Sequence, residues 1–332
     1  MNTKQPLRWG ILGTGWIADR FVDDLKRLEG HRAALVGSRT LAKAQEFATR
    51  HGMARAVGSY EALANDPEVD VVYVASPHPH HHAHARLALE AGKAVLLEKP
   101  FTMDAREAAD LVALARNQGL FLMEAMWTRF LPHTAALRRV LGSGVLGEVV
   151  QVQADHGQWF PRDPHHRIFA PELGGGALLD LGIYPVSFAW FVLGAPQRIT
   201  AVSTPAFTGI DGTTSMVLQY PTGAHAVLTT TSLARTPNRA LIAGTEARIE
   251  IDPWFFTPTS FTVIRTDGTV LERFHVPYEG HGLREQAAEV GRCLASGLTE
   301  SPLLPLDESV AILGTLDEVR RQIGLTYPPV SR

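Results

Sequence analysis

Cysteine is nearly absent from this sequence. Cys293 is its single cysteine, so no disulfide bond can form within the chain. A chain without internal disulfides suits a reducing compartment, and we expect a cytoplasmic protein. The first six residues, Met-Asn-Thr-Lys-Gln-Pro, lack the apolar segment of a secretory signal peptide. We expect Cys293 to be a small buried residue, since an unpaired cysteine usually behaves as a hydrophobic side chain.

An excess of charge of either sign is also missing. The 31 lysines and arginines are balanced by 34 acidic residues, which leaves a net charge of −3. A basic surface for nucleic acid or for a membrane is therefore not expected. We expect no apolar run long enough to cross a bilayer, and there is no repeat or low-complexity segment. The 332 residues allow one large domain or two ordinary domains.

A glycine-rich turn follows the first predicted strand. The strand Leu7–Leu12 leads into the turn, and an amphipathic helix to about Glu29 follows it. The spacing G-x-G-x-x-A is typical of a dinucleotide site, where the second glycine lets the backbone approach a pyrophosphate. Similar turns also serve packing alone, but the position in the first strand–helix unit favours binding. The predicted cofactor contacts are Gly13, Thr14, Gly15, Trp16 and Ile17.

The end of the second predicted strand carries information about the cofactor. The strand 33–37 is followed by Ser38 and Arg39, where an NAD site usually has Asp or Glu on the ribose hydroxyl. A hydroxyl and a guanidinium suit the 2′-phosphate of NADP instead. We therefore predict NADP(H) as the preferred cofactor, with NAD(H) as the alternative. A simpler interpretation makes Ser38 a helix cap and Arg39 a solvated side chain.

Five histidines follow the next predicted strand, Val69–Ala75. They lie within the segment Ser76-Pro77-His78-Pro79-His80-His81-His82-Ala83-His84. A metal site needs several converging ligands, and no cysteine or acidic residue stands beside these histidines, so we expect no metal. The favoured interpretation is a loop over the cofactor, followed by a helix. The predicted cofactor contacts in this loop are Ser76, Pro77, His78 and His81.

A further apolar run ends in two opposite charges and a proline. Val95–Leu97 is typical of a buried parallel strand, and Glu98-Lys99-Pro100 follows it. Ligands of such sheets bind beyond the carboxyl ends of the strands. We predict that Glu98 holds Lys99 or the cofactor, and that Lys99 takes part in binding and catalysis. The alternative is an ordinary surface ion pair at a strand end.

Two domains with different patterns are predicted. Strands and helices alternate up to about residue 125, which indicates a Rossmann-like, doubly wound parallel sheet of the α/β class over residues 1–125. Residues 126–332 are predicted to form an α+β domain with an open, mostly antiparallel sheet and two late helices at 283–296 and 307–323. Its strand-like stretches are 149–156, 199–203, 214–220, 224–232, 239–243, 247–251, 261–265 and 269–275.

A second glycine-rich segment interrupts this strand-rich half. Gly174–Gly176 leads into a predicted helix on which Asp180 and Tyr184 are four residues apart, and therefore on one face. Pro185 should kink or loosen the helix just after Tyr184. The two polar side chains are either parts of a functional site or a buried hydrogen-bonded pair.

Together these motifs resemble the Gfo/Idh/MocA family of oxidoreductases. The resemblance rests on the glycine turn, Ala75-Ser76-Pro77 with His81, Glu98-Lys99-Pro100 and Gly174-Gly175-Gly176-x-x-x-Asp180-x-Gly182. Met123–Phe130 and Gly175–Tyr184 are similar to a subgroup of dimeric dihydrodiol dehydrogenases and NADP-dependent D-xylose dehydrogenases. The resemblance implies an NADP-dependent enzyme that acts on a sugar, a trans-dihydrodiol or a dicarbonyl compound. It also implies a homodimer through the open face of the second sheet, or a dimer of dimers.

The residues themselves suggest a mechanism for such an enzyme. Hydride transfer to or from nicotinamide requires a proton to move on the substrate oxygen. A free tyrosine has a pKa near ~10, and a nearby ammonium group lowers it. We predict Tyr184 as the general acid/base, Lys99 as the group that polarises the oxygen and tunes Tyr184, and Asp180 as the residue that orients them.

The predicted substrate contacts all lie in the second predicted domain. Trp127 and Phe160 are expected to wall the pocket, because aromatic faces pack well on a sugar or an arene diol, and Arg129 and Tyr184 complete the set. The sequence departs from the subgroup over 157–173, so the substrate stays open. Two other classes of function remain: a non-catalytic NADP(H)-binding sensor or assembly protein on the same fold, and a histidine-rich metal protein.

Overall fold

The structure is a computed structural model that describes residues 6–328. Five of the six residues on which the expected absence of a signal peptide rests lie outside it, as do the last four residues of the predicted second domain. The chain divides into two compact units. The first is formed by the chain up to Phe130 and by Glu279–Val310, and the second by Leu131–Tyr278 and the chain from Ala311. The predicted boundary after residue 125 lies close to Phe130, whereas the return of Glu279–Val310 to the first unit is absent from the prediction.

The first unit alternates strands and helices. The strands Val71–Val74 and Ala94–Glu98 are buried throughout and apolar up to Glu98, as in a parallel sheet covered on both faces. The helices bury one apolar side. Up to Phe130 the elements are β1 Leu7–Leu12, α1 Trp16–Leu25, β2 His31–Gly37, α2 Leu41–His51, β3 Ala56–Val57, α3 Tyr60–Ala64, β4 Val71–Val74, α4 His81–Glu90, β5 Ala94–Glu98, α5 Ala105–Gln118 and β6 Leu122–Ala125.

These six strands form one parallel sheet in the order β3-β2-β1-β4-β5-β6. The strand order reverses between β1 and β4, and dinucleotides bind at such a reversal, outside the carboxyl ends of the strands. Gly13, Ser38, Ala75 and Lys99 directly follow β1, β2, β4 and β5, so they share this edge of the sheet. The predicted doubly wound α/β fold is confirmed.

The rest of the chain is built mainly from strands, and each of the eight predicted strands is present with small shifts at its ends. The boundary between the two units falls within the last helix. The elements are α6 Pro132–Gly142, β7 Val149–Gly157, α7 Ile183–Leu193, β8 Arg198–Pro205, β9 Asp211–Gln219, β10 His225–Thr231, β11 Ala240–Gly244, β12 Ala247–Ile251, β13 Phe261–Arg265, β14 Val270–Phe274, α8 Arg284–Ala295 and α9 Leu306–Ile323.

The sheet of the second unit has the order β14-β13-β12-β11-β7-β10-β9-β8. Neighbouring strands are antiparallel except β7 and β10, which run parallel. The helix α7 packs on β7 and β10, and alternate residues of β9 and β10 are buried. Of the intervening residues, Val217 and Val227 are exposed on the opposite face. The predicted open, mostly antiparallel sheet is confirmed.

Two helices differ from their predicted course. The helix α1 ends at Leu25 rather than near Glu29. The amides of Arg27 and Leu28 donate hydrogen bonds to carbonyls three residues back, which form tighter turns than an α-helix. The loosening expected just after Tyr184 lies before it, in the π-turn Leu178–Gly182 that precedes α7. Pro185 has no amide hydrogen for the carbonyl four residues back and its ring crowds that carbonyl, so the helix widens on the N-terminal side of the proline.

One helical stretch contradicts the expectation that no apolar run could span a bilayer. Pro171–Leu193 is long enough, and an 18-residue window within it has a mean hydropathy of 1.6. However, 72% of that window is buried inside the protein, which is the usual environment of a core helix. Length and composition alone are therefore weak evidence for a membrane span here.

Candidate active site

The glycine turn after β1 forms a cradle at the carboxyl edge of the first unit's sheet. Gly13 has a φ of +109°, and a Cβ atom there would lie 2.7 Å from the Ala75 carbonyl oxygen, so glycine is required. Gly15 has open space beside its backbone, which leaves room for a ligand. In the described part of the chain no side chain caps α1, so its first amides, from Trp16 and Ile17, can face a phosphate group.

Ser38 and Arg39 lie between β2 and α2. Ser38 is buried, and its amide donates to the Val57 carbonyl at 3.3 Å, whereas Arg39 is exposed. The residue at the N-cap of α2 is Thr40, so the interpretation of Ser38 as a helix cap is wrong. Burial raises the pKa of Tyr60 and the Arg39 charge opposes this rise, which places a guanidinium near the start of α3.

The loop after β4 contributes a buried hydroxyl group. Ser76 Oγ is buried and has no hydrogen-bond partner among residues 6–328. Buried polar groups in folded proteins are nearly always hydrogen-bonded, so a hydroxyl in this state at a ligand-binding edge is expected to bond to a ligand. Pro77 and His78 follow in the same loop, and the buried His78 ring lies 5.6 Å from the His81 ring.

His81 acts on this loop through the backbone. The ring is fully buried, with Nδ1 2.8 Å from the Pro100 carbonyl oxygen and Nε2 2.8 Å from the Ser76 carbonyl oxygen. Burial lowers the pKa of His81 to about 4, so the ring is neutral at pH 7 and donates to one of the two carbonyls. His81 therefore links the loop after β4 to the turn after β5.

Glu98 is the last residue of β5 and Lys99 follows it, at the strand end where both were predicted. Glu98 is buried, and its carboxylate accepts the Tyr73 hydroxyl at 2.5 Å and the Lys99 amide at 3.2 Å. Burial raises the pKa of Glu98 to about 7, against the opposing effects of the Tyr73 hydrogen bond and the Lys99 charge. Because the carboxylate is buried, the interpretation as a surface ion pair is wrong, and Glu98 fixes the turn that carries Lys99.

These features of the first unit fit a dinucleotide cofactor. The Gly13 cradle and the uncapped start of α1 follow β1, and the unpartnered Ser76 hydroxyl follows β4, on the two sides of the strand-order reversal. The turn from Gly13 to Ile17 would hold the pyrophosphate, since backbone amides at a helix N-terminus bind phosphate groups.

The second unit holds Asp180 and Tyr184 on consecutive turns of one helix. Both side chains are buried. Arg167 donates to Asp180 Oδ2 at 2.9 Å, so a cation from the preceding loop pairs with this carboxyl group. The Tyr184 ring is packed by His156 and Phe256, with ring centroids 5.1 and 5.0 Å away. The arrangement provides a carboxyl group and a phenol one turn apart in an aromatic environment.

His156 connects β7 to the π-turn before Tyr184. Its Nδ1 donates to the Leu181 carbonyl at 3.2 Å, which is the carbonyl four residues before Pro185. The Gln158 side-chain amide lies 2.9 Å from His156 Nε2 and donates to it, because a neutral ring with its hydrogen on Nδ1 accepts at Nε2. The His156 ring also stacks on Phe256 at 3.9 Å. His156 therefore fixes both the π-turn and the aromatic neighbours of Tyr184.

An aromatic loop after β12 is absent from the sequence prediction. Trp254 has a φ of +63°, which is rare for a bulky residue, and its indole is exposed while Phe256 contacts Tyr184. The Phe255 carbonyl accepts from His133, and the Phe255 amide donates to the Asn238 carbonyl, both at 3.1 Å. Three consecutive aromatic residues between two predicted strands were the signal that could have identified this loop.

The predicted substrate residues other than Tyr184 lie in different environments. Trp127 and Arg129 are buried in the first unit, where Arg129 donates to the Glu308 carboxylate at 2.7 Å. Phe160 is partly buried in the second unit, with its ring 5.2 Å from that of His166. Arg129 therefore serves an internal ion pair, and contacts of Trp127, Arg129 and Phe160 with a substrate remain predictions.

The histidine-rich loop sends its side chains in different directions. His82 lies 2.7 Å from the Asp110 carboxylate, and the His80 and His84 rings stack with centroids 5.5 Å apart. Within residues 6–328, no group of three or more His, Cys, Asp or Glu side chains is placed to hold a metal ion. This arrangement does not favour a histidine-rich metal protein.

Two family models match the sequence, one in each unit. Residues 7–126 match the oxidoreductase family with an NAD-binding Rossmann fold, and residues 134–250 match the GFO/IDH/MocA C-terminal domain. The first range contains the glycine turn and the ends of β2, β4 and β5, and the second contains Asp180 and Tyr184.

Curated relatives match over nearly the whole chain. The human trans-1,2-dihydrobenzene-1,2-diol dehydrogenase is 40% identical over 335 residues, which cover 98% of this chain and 99% of the relative. The bovine enzyme of the same name is also 40% identical, over 97% of this chain and 98% of the relative.

Solved structures of related enzymes share the whole fold. A 3-ketoreductase from Actinomadura kijaniata, in complex with NADP and TDP-benzene, has a TM-score of 0.85 and 29% identity over 96% of this chain and 98% of its own. An aldose-aldose oxidoreductase from Caulobacter crescentus has a TM-score of 0.86 and 26% identity over 96% of this chain and 97% of its own. These relatives favour an enzyme over the non-catalytic alternative. The chain is an NAD(P)-dependent oxidoreductase. It belongs to the Gfo/Idh/MocA family.

Proposed function

We propose that the protein is an NADP-dependent oxidoreductase that moves a hydride between nicotinamide and a carbon bearing a hydroxyl or carbonyl group, on a sugar or a trans-dihydrodiol. The observation that carries the proposal is Tyr184, a phenol buried among aromatic rings one turn after Asp180, in a chain similar to dihydrodiol dehydrogenases. When bound, the nicotinamide accepts or supplies the hydride. The chain's own residues must then move one proton at the substrate oxygen.

Tyr184 is the proposed general acid/base. A phenol with a pKa near ~10 is a poor base at neutral pH unless a cation stabilises the phenolate. We assign that role to Lys99, which also polarises the substrate oxygen. Asp180, which pairs with Arg167, orients the reacting groups, and Glu98 fixes the turn that carries Lys99.

Tyr184→Phe tests this assignment. The variant keeps the ring and deletes the hydroxyl, so turnover should fall by roughly 10²–10⁴, the usual contribution of a positioned acid/base. NADPH binding should survive, since the dinucleotide features lie in the first unit. Tyr220→Phe is the matched control, because Tyr220 is also buried in the second unit and its hydroxyl has no hydrogen-bond partner in the described chain. Turnover of Tyr184→Phe within a few-fold of the parent, with chemistry rate-limiting, would make Tyr184 a packing residue.

Lys99→Met extends the same test. It should also impair turnover, and the double variant should lose less than the sum of the single losses, because the two groups act as a unit. The pH profile of the parent should carry a limb that belongs to the Tyr–Lys pair and not to one residue. If the free-energy losses of the two single variants add fully in the double variant, Lys99 does not take part in the proton transfer at Tyr184.

The proposed substrates are aldoses, trans-dihydrodiols and dicarbonyl compounds. The human and bovine relatives are named for a dihydrodiol, and one structural relative is an aldose-aldose oxidoreductase. A screen of the three classes with NADP⁺ and with NADPH tests this range. Tight NADPH binding without activity on any of the three classes would contradict it.

Cofactor preference, assembly and compartment complete the proposal. Ser38 and Arg39 support a preference for NADP(H) over NAD(H). The open face of the second sheet, which exposes Val202, Val217 and Val227, supports a homodimer, or a dimer of dimers. The single, buried and unpaired cysteine supports the cytoplasm, where thiols stay reduced, and fractionation of the native host with an antibody tests that location.

A further inference from the structure

The helix with Asp180 and Tyr184 starts in a turn that has no room to move. Gly174 and Gly176 have φ values of +67° and +111°, which suit glycine. A Cβ atom on Gly175 would lie 2.7 Å from the Arg167 carbonyl oxygen, and one on Gly176 would overlap Asp211 Oδ1. The amides of Gly175 and Gly176 donate to carbonyls of the preceding loop at 3.1 and 2.8 Å. The start of the helix is therefore held by close backbone packing.

Asp211 holds the next amide of the helix. Its Oδ2 accepts the Leu178 amide at 2.6 Å and the Thr214 hydroxyl at 3.2 Å. The carboxyl group is buried, and its other oxygen faces Gly176. A carboxyl group that accepts a helix N-terminal amide stabilises the first turn. Strand β9 thus fixes one side of the glycine turn.

The end of the chain fixes the other side of the glycine turn. Tyr327, which follows α9, donates its hydroxyl to the Gly175 carbonyl at 2.7 Å. The Arg320 guanidinium lies over the Tyr327 ring, 5.6 Å from its centroid. Leu325 packs against the buried cluster of Ile168 and Phe169 that supports the loop before the turn. Residues near the C-terminus therefore contact the loop and the turn that lead into the predicted acid/base helix.

We propose that Tyr327 is a positioning residue for Tyr184 and Asp180. Its hydroxyl holds the Gly175 carbonyl, so the turn before the helix keeps one conformation and the two side chains keep their places. The inference rests on the proposed role of Tyr184 in proton transfer. Misplacement of a catalytic group by a fraction of an ångström lowers the rate of chemistry without changing the affinity for the cofactor.

Tyr327→Phe tests the inference, with Tyr220→Phe as the matched control. Both substitutions delete one tyrosine hydroxyl of the second unit, but only the Tyr327 hydroxyl donates to the glycine turn. Amide hydrogen exchange of the peptide 174–182 should be faster in Tyr327→Phe and unchanged in Tyr220→Phe. In Tyr327→Phe, kcat should fall by about tenfold, while KM and the NADPH dissociation constant stay at the parent values.

The two readouts separate this inference from the proposed function. Exchange and kcat in Tyr327→Phe equal to those of Tyr220→Phe would overturn the positioning role. Faster exchange with an unchanged kcat would also overturn it, because the turn would then move without effect on chemistry. Failure of the proposed function is diagnosed independently, by turnover retained in Tyr184→Phe, and leaves the exchange result intact.

Discussion

Ser38 and Arg39 are the residues on which the proposed preference for NADP(H) depends. The buried Ser38 and the exposed Arg39 follow β2 at the carboxyl edge of a Rossmann sheet, where an acidic residue would bind the ribose hydroxyl of NAD. A guanidinium favours a phosphate there through charge-assisted hydrogen bonds, whereas a carboxylate repels it. The sequence was sufficient for this argument, since it needs only the strand end and the side chains after it.

Arg39→Asp should therefore weaken NADP(H) binding. Loss of the charge-assisted contact alone should cost about 1.5–3 kcal/mol in binding free energy, and the introduced carboxylate adds repulsion. Fluorescence titration with NADPH and NADH measures both affinities in the parent and the variant. Lys43→Ala, which removes an exposed cation from α2, controls for a general loss of positive charge. A parent protein that binds NADH as tightly as NADPH would contradict the preference.

Other side-chain roles depended on contacts between residues distant in the sequence. Glu98 accepts from Tyr73, 25 residues away, and Gly175 accepts from Tyr327, 152 residues away. Arg167 reaches Asp180 from the loop that precedes the glycine turn. No local spacing specifies such pairs, because the fold alone brings them together. The residues proposed to carry the chemistry could be named from the sequence, whereas the contacts that hold them in place could not.

The helix of Asp180 and Tyr184 is the element on which the proposed chemistry depends. The sequence predicted its glycine start and the disturbance by Pro185, but placed the disturbance after Tyr184 rather than in the π-turn before it. A proline affects the carbonyl four residues earlier, so the change falls on the preceding turn. In this structure the Leu181 carbonyl at that position binds the His156 ring. The partner could not be predicted because His156 comes from a separate strand.

Stability at the start of this helix should depend on pH through Asp211. Burial raises the pKa of Asp211 to about 7, whereas an Asp in an unfolded chain has a pKa near ~3.9. At pH values between these two pKa values, the folded state binds the Asp211 proton more tightly than the unfolded state does. The contribution of Asp211 to stability is therefore complete below about pH 4 and is lost as the pH rises through about 7.

Asp211→Asn keeps the shape and removes the titration. The free energy of unfolding of the variant minus that of the parent should increase from pH 5 to pH 8, because only the parent loses the stabilising proton. Other buried acids, such as Glu98 and Glu124 with pKa values raised by burial to about 7, are present in both proteins and cancel in the difference. Urea unfolding of both proteins at several pH values measures this difference in the free energy of unfolding. A difference that stays constant with pH would show that Asp211 does not titrate in this range.

The pattern of strands and helices in the sequence predicts both units of the molecule, except for the segment Glu279–Val310, which returns to the first unit. Alternation of strands and helices predicted the first sheet, and successive strands with turns predicted the second, because each pattern recurs over short distances. The return of Glu279–Val310 to the first unit has no such pattern. It is fixed by the buried Asp24 of α1, whose carboxylate accepts the His281 and Leu283 amides. One carboxylate on a distant helix cannot be identified as an anchor from sequence alone.

The open face of the second sheet leads to the proposed homodimer. Val217 of β9 and Val227 of β10 are directly paired across the strands and are 38% and 41% exposed. Val202 of β8 is exposed on the same sheet, two strands from β10. Exposed valines on an open sheet face favour an interface, and a two-fold axis lets the same face cover itself. The parent protein should therefore show twice the mass of one chain.

Val217→Lys with Val227→Lys should dissociate that dimer. Two paired ammonium groups in each copy would be buried against the sheet of the other, and burying unpaired charges is costly. Light scattering coupled to size exclusion, at micromolar concentration, should change from the mass of two chains to that of one. Leu298→Lys is the matched control, since Leu298 is 39% exposed but lies in the first unit, outside the sheet, so this variant should remain dimeric. A parent protein with the mass of a single chain would refute the proposed assembly, and a double variant that stays dimeric would move the interface to another surface.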